Sequence, residues 1–119
     1  MMDPFTHPMT LIGPQGRETV ECVVDTSLLF AVIPTPVLKR IGVKPDRFVR
    51  DRSAKRRRRG LAQVQAELEG HEGHAMCVFG DADEPARMGR HTLDCFLLDV
   101  DPDRQRLVPK EFRLIEHIL

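Results

Sequence analysis

The reading of the fold turns on residues 18–34, ETVECVVDTSLLFAVIP. Its first half alternates. Val20, Cys22 and Val24 fall on one side and Thr19, Glu21, Val23 and Asp25 on the other, the period of two that marks a strand with one buried face. Asp25 thus ends an apolar strand, on the face opposite Val24. Thr26 and Ser27 interrupt the pattern, and Leu28 to Ile33 forms a second apolar run that Pro34 closes. A carboxylate in this place is either a turn former or a group set up for acid or base work, and the residues alone leave both readings open.

Working outward, Thr35 followed by Pro36 predicts an N-cap with proline at the first helical position, opening a short helix through Val37, Leu38 and Ile41 that ends at Gly42. The clearest alternation runs from Leu61 to Glu69, with Ala62, Val64, Ala66 and Leu68 on one face. Gly70 to Gly73 predicts the turn of a hairpin whose second strand is Ala75 to Phe79. After a loop from Gly80 to Pro85, the spacing of Met88, Leu93, Phe96 and Leu97 predicts a short helix following Gly89. A turn around Pro102 covers Asp99 to Asp103, after which Leu107 and Val108 are expected to pair back onto the sheet. Phe112, Leu114, Ile115, Ile118 and Leu119 form an apolar tail that calls for a partner surface.

A chain of 119 residues has room for one domain, spanning 1–119, and excludes a two-lobed enzyme. With 18 basic and 18 acidic side chains, net charge assigns no partner. No apolar stretch is long enough to span a membrane, and Met1 to Pro14 has neither the basic start nor the apolar centre of a signal peptide. The expectation is a cytoplasmic protein without membrane contact. Cys22, Cys77 and Cys95 are odd in number and widely spaced, which argues against a disulfide framework and predicts small buried apolar residues.

Three other groups could carry chemistry. His71, His74 and Cys77 invite a zinc reading, but glycines at 70 and 73 mark a turn rather than the helix face on which two imidazoles would converge. Ser27 with His91 as base lacks the glycine-flanked elbow of a serine nucleophile. Lys44 to Gly60 holds nine basic residues against Asp46 and Asp51. The core of that block, Lys55 to Arg59, could clamp phosphates. It has no interleaved aromatics except nearby Phe48, so a solvated loop is the favoured reading and nucleic acid a disfavoured partner.

The order of these segments resembles a known family. Val23-Val24-Asp25-Thr26-Ser27 followed by Phe30-Ala31-Val32-Ile33-Pro34 resembles the active-site strand, turn and strand of the retroviral-type, or retropepsin-like, aspartic proteases, which usually read Asp-Thr-Gly-Ala. Phe79-Gly80, Met88-Gly89, Thr92-Leu93, Asp99-Val100-Asp101-Pro102 and Arg106-Leu107-Val108-Pro109 resemble the second half of small prokaryotic members. The likeness covers about Thr19 to Pro109.

That resemblance implies an all-β, closed acid-protease barrel with one or two short helices, homodimeric. Each chain would supply one Asp to a shared dyad, so the implied activity is an aspartic endopeptidase that hydrolyses peptide bonds. Its site residues would be Asp25 as catalytic acid or base, Thr26 bracing the two turns, and Ser27 in the position of the family's glycine. No cofactor and no metal are implied. The partners are a second copy of the chain and a peptide or protein substrate. Leu28 replaces a small residue, Arg87 stands where an apolar residue is common, and the flap, expected near Arg50 to Gly60, has no glycine before Gly60. These departures define a second reading, a catalytically degenerate dimer that binds peptide or protein, and a third is a nucleic-acid-binding module acting through Lys55 to Arg59.

Overall fold

The computed structural model describes residues 5–52 and 57–111. They form strands β1 (Thr6–Gly13), β2 (Gly16–Val24) and β3 (Ala31–Pro34), helix α1 (Thr35–Arg40), then β4 (Arg47–Asp51), β5 (Arg57–Leu68), β6 (His71–Gly80) and β7 (Arg87–Met88). Helix α2 (Arg90–Cys95), β8 (Leu98–Asp101) and β9 (Arg106–Pro109) follow. The expected strand-rich class with two short helices is therefore present.

Seven strands make one sheet in the order β1-β2-β7-β3-β6-β5-β4, and β1 pairs again with β5, so the sheet closes into a ring with β4 outside it. The alternations read from sequence point into this ring. Cys22, Val24, Ala62, Val64, Ala66, Leu68, Ala75 and Cys77 are buried, and Leu38 and Leu93 seal the ring from the two helices. Strand β1 was not foreseen, because Pro8 sits within it. Proline is tolerated there because β5 pairs only with Thr10 to Ile12, leaving that edge of β1 open at Pro8.

Several local expectations are corrected. Thr35 is the first helical residue rather than the cap. The cap is Pro34, with no side-chain bond, and the Thr35 hydroxyl instead donates to the Gly80 carbonyl at 2.7 Å, tying α1 to β6. The β5–β6 turn is Glu69 and Gly70, since Leu68 pairs with His71. Both turn residues have positive φ, 52° and 77°, the handedness that matches the twist of a two-residue hairpin. Gly73 lies within β6, where a Cβ would come within 2.9 Å of the Phe96 ring. Asp99 and Asp101 belong to β8, and the turn that follows is residues 102–105. Leu107 and Val108 pair with Val100 and Asp99 in a separate two-stranded sheet, not with the main one.

Cys22 and Cys77 are buried free thiols, whereas Cys95, expected inside, is exposed beside His91. Burial pushes the Cys22 thiol up to about 12, with the Glu21 charge adding to it, and raises Cys77 as well. No helix among the described residues is long and apolar enough to cross a membrane. The apolar tail at 112–119 lies outside the described residues.

The basic run departs most from expectation. Lys55 and Arg56 lie outside the described residues, but Arg57, Arg58 and Arg59 are in β5, paired antiparallel with β4 (Asp51 opposite Arg57, Val49 opposite Arg59). This is the hairpin expected near Arg50 to Gly60. It is not simply a solvated loop. Arg57 donates twice to Asp81, at 2.7 and 3.1 Å, and the Arg58 guanidinium stacks 4.0 Å above the Phe48 ring. The Arg59 side chain is only 8% exposed; its Nε lies 2.9 Å from Asp51 Oδ2, and its Nη1 donates to Glu84 Oε1 at 2.7 Å. A buried guanidinium is tolerable because two carboxylates flank it.

Two outcomes follow for urea denaturation. Arg59→Ser should cost about 3 kcal/mol or more, because it leaves two carboxylates facing an emptied site. Arg58→Ser, on the exposed face, should cost less than about 1 kcal/mol. Equal midpoints for the two variants would show that burial of Arg59 contributes nothing.

The second outcome concerns acid. Burial pushes the Glu84 carboxyl up, but the Asp81 N–H and the Arg59 guanidinium outweigh it and leave it below its ordinary 4.5. Asp81 is likewise held below its ordinary 3.8, chiefly by the hydrogen bonds from Arg57. A carboxylate with a lowered folded-state pKa contributes stability above its unfolded value and loses it as pH falls through the folded one. Urea midpoints should therefore drop as pH falls from about 4.5 toward 3. Glu84→Gln should start lower at neutral pH and show a shallower fall.

Candidate active site

Asp25 follows the last residue of β2 at the mouth of a tight turn, and the two strands that turn joins, β2 and β3, do not pair with each other. Strand β7 lies between them, parallel to β2 (Val23 beside Arg87, Val24 beside Met88) and antiparallel to β3 (Val32 beside Arg87). The wedge holds the turn from both sides. On the incoming side the Val23 N–H donates to Ala86 O at 2.8 Å and the Asp25 N–H to Met88 O at 3.0 Å. On the outgoing side the Arg90 and His91 N–H groups donate to Leu28 O and Leu29 O, each at 2.8 Å. Gly89 is required at this crossing, where a Cβ would lie 2.6 Å from the Phe30 carbonyl oxygen and 2.9 Å from those of Leu28 and Leu29.

Within the turn, Asp25 Oδ1 accepts from the Ser27 N–H at 3.0 Å and from the Ser27 hydroxyl at 2.5 Å. One carboxylate oxygen is fixed by its own chain, and Oδ2 carries no hydrogen bond among the described residues. Asp25 and Thr26 are half-buried, and the Thr26 side chain makes no hydrogen bond among the described residues. Leu29, just beyond, is 61% exposed.

The structure brings Asp25, Thr26 and Ser27 together and separates the other candidates. The Ser27 hydroxyl is committed to Asp25, while His91 sits edge-on to Phe30, ring centroids 5.6 Å apart, and faces Cys95. In β6, His71 and Cys77 share a strand face and His74 lies on the opposite one, so the three do not converge. Among the described residues no three His, Cys, Asp or Glu side chains form a group able to hold a metal ion. Sequence reasoning missed the cleft beside the turn, a cavity of about 400 Å³ walled by Leu28, Phe30, Val32, Val49 and Val78. Asp25 does not line it, but the residues that leave its turn do. Arg87 also lines it and is half-exposed with Nη1 3.8 Å from Glu84 Oε2, so this arginine is neither buried nor without a carboxylate. The apolar flank from Leu28 to Val32 was the available signal, but only β4 and Val78 of β6 turn it into a cleft.

No protein-family model matches the sequence, and no curated protein matches it. Solved structures do. The retroviral protease-like domain of Ddi1 from Leishmania major superposes with a TM-score of 0.62 at 14% identity, covering 94% of this chain and 92% of that one. A retropepsin-like aspartic protease from Rickettsia conorii superposes with a TM-score of 0.53 at 10% identity, covering 87% of this chain and 91% of that one. A closed strand ring, a two-residue strand wedged behind an Asp-Thr turn and these two superpositions converge on one conclusion: the chain has the retropepsin-like fold.

Proposed function

We propose that this protein is an aspartic endopeptidase of the retropepsin type, acting as a homodimer in which Asp25 of each chain supplies half of a carboxylate dyad. The observation that carries the reading is the placement of Asp25, half-buried at the mouth of a turn pinned on both sides by residues 86–91, on a fold shared with retropepsin-like domains. In this reading Thr26, whose side chain makes no hydrogen bond among the described residues, braces the partner's turn, and exposed Leu29 supplies apolar surface beside it. Leu97, 55% exposed where the chain runs on toward its tail, adds a second apolar contact.

The chemistry follows from two carboxylates in contact. They cannot both ionise cheaply, so they share one proton, and the charged member draws a proton from a bound water while the protonated one donates to the scissile carbonyl. Ser27 fits this scheme in a definite way. Its N–H and hydroxyl both anchor Oδ1, which leaves Oδ2 to face the water and the partner carboxylate.

The same hydroxyl supports a second reading. A side-chain donor on Oδ1 competes with the water for the carboxylate, which suits a dimer that binds peptide without cutting it. The nucleic-acid reading loses ground, because Arg57 and Arg59 are engaged by Asp81, Asp51 and Glu84 and Arg58 is stacked on Phe48.

Digestion of a mixed peptide library between mildly acidic and neutral pH tests the protease. Asp25→Asn should reduce cleavage at least about a hundredfold while leaving the circular dichroism spectrum unchanged, and a pepsin-type transition-state analogue should inhibit the native chain. Cleavage retained by pure Asp25→Asn protein would exclude the aspartic mechanism. Assembly is checked separately, by sedimentation at micromolar concentration. A dimer is expected there, and a persistent monomer would remove both the dyad and the shared groove.

A further inference from the structure

The cleft beside the Asp25 turn has an apolar wall and a charged rim. Arg50, Asp51, Arg52, Arg59, Glu84 and Arg87 all line it, four guanidinium groups against two carboxylates, an excess of two positive charges. Those charges are not spread evenly. Arg59 lies between Asp51 and Glu84, at 2.9 and 2.7 Å, and is the buried member of the set. Arg87 reaches only the far oxygen of Glu84, at 3.8 Å, and remains half-exposed. Arg52, which also lines the cleft, is exposed and directly follows β4. The lining therefore combines apolar side chains with an excess of arginine, although the whole chain carries no net charge.

We infer that this cleft selects a peptide residue bearing a carboxylate, glutamate above all, whose methylene stem lies against Leu28, Val32 and Val78 while its head meets Arg87 and Arg52. A neutral amide of the same shape would fill the same volume but form no ion pair with Arg87 or Arg52. A lysine would meet like charge and be rejected. Guanidinium groups suit this role because their fixed fork of N–H donors matches a carboxylate. The apolar wall favours the longer glutamate stem over that of aspartate, since each additional methylene buried adds to binding.

The inference rests on the peptide-groove reading above, so its test separates the two. Matched peptides differing only by Glu, Gln or Lys at single positions are titrated into Asp25→Asn protein by fluorescence anisotropy, and the same set is offered to the native chain for cleavage. At one position Glu should bind about five- to tenfold tighter than Gln, with Lys weakest, and raised salt should narrow the difference. Arg52→Gln, at an exposed position, and Arg87→Gln should each reduce the preference, and together they should abolish it.

Glutamate selection in binding with no cleavage by the native chain would overturn the protease and leave the inference standing. Cleavage with equal use of Glu and Gln at every position would do the reverse. A preference that survives the double variant would overturn the assignment to these two arginines, and absence of peptide binding by either protein would overturn both readings.

Discussion

Everything at the site depends on a wedge of two residues. Arg87 and Met88 separate the strands before and after the Asp25 turn, which would otherwise close on each other as an ordinary hairpin with the carboxylate at its tip. Because β7 lies between both neighbours, the turn is forced outward, and to its one internal backbone bond, Leu28 N–H to Asp25 O, residues 86–91 add bonds on both of its sides. The order of the turn is thus supplied from behind, by residues 86–91, with the half-buried Asp25 carboxyl at its mouth. Gly89 is the cost in sequence freedom, since three carbonyl oxygens occupy the space of any side chain at that position.

Charge is handled on a second plane. The hairpin of β4 and β5 is fastened to the body by one buried cation and two carboxylates, from β4 and from the loop ahead of β7. Glu84 therefore links the wall of the cleft to the segment that feeds the wedge, and its other oxygen faces Arg87. Site and hairpin share an electrostatic joint, so a change in the protonation of Glu84 touches both.

Much of this was legible in advance, for reasons that differ by element. The alternation of Ala62, Val64, Ala66 and Leu68 fixed both the strand and its inward face, because a period of two has no other economical solution. The proposed triplet of Asp25, Thr26 and Ser27 was read from its position between two apolar runs and from the resemblance of the whole order. Strand β1 was hidden by Pro8, which sequence reading treats as a breaker unless the open edge is known. The fate of Arg59 was hidden for a different reason. Five consecutive basic residues look alike in sequence, and only β5 pairing, which sends alternate side chains to opposite faces, separates the stacked Arg58 from the buried Arg59. The cleft itself is a product of β3, β6 and the hairpin meeting, which no local pattern encodes.

The long-range character of the wedge has a consequence for how the protein comes into being. The backbone groups of Val23, Asp25, Leu28 and Leu29 that pin the turn to the wedge find those partners only when residues 86–91 arrive, and closing so large a loop precedes any reward from the contacts it brings. A nascent chain that has emerged as far as β6 can already pair β1 with β2 and β5 with β6, but its Asp25 turn has only the internal bonds of Ser27 and Leu28 to Asp25 to hold it. The turn that carries this carboxylate is thus pinned only after β7 and the start of α2 have been made, late in the growth of the chain.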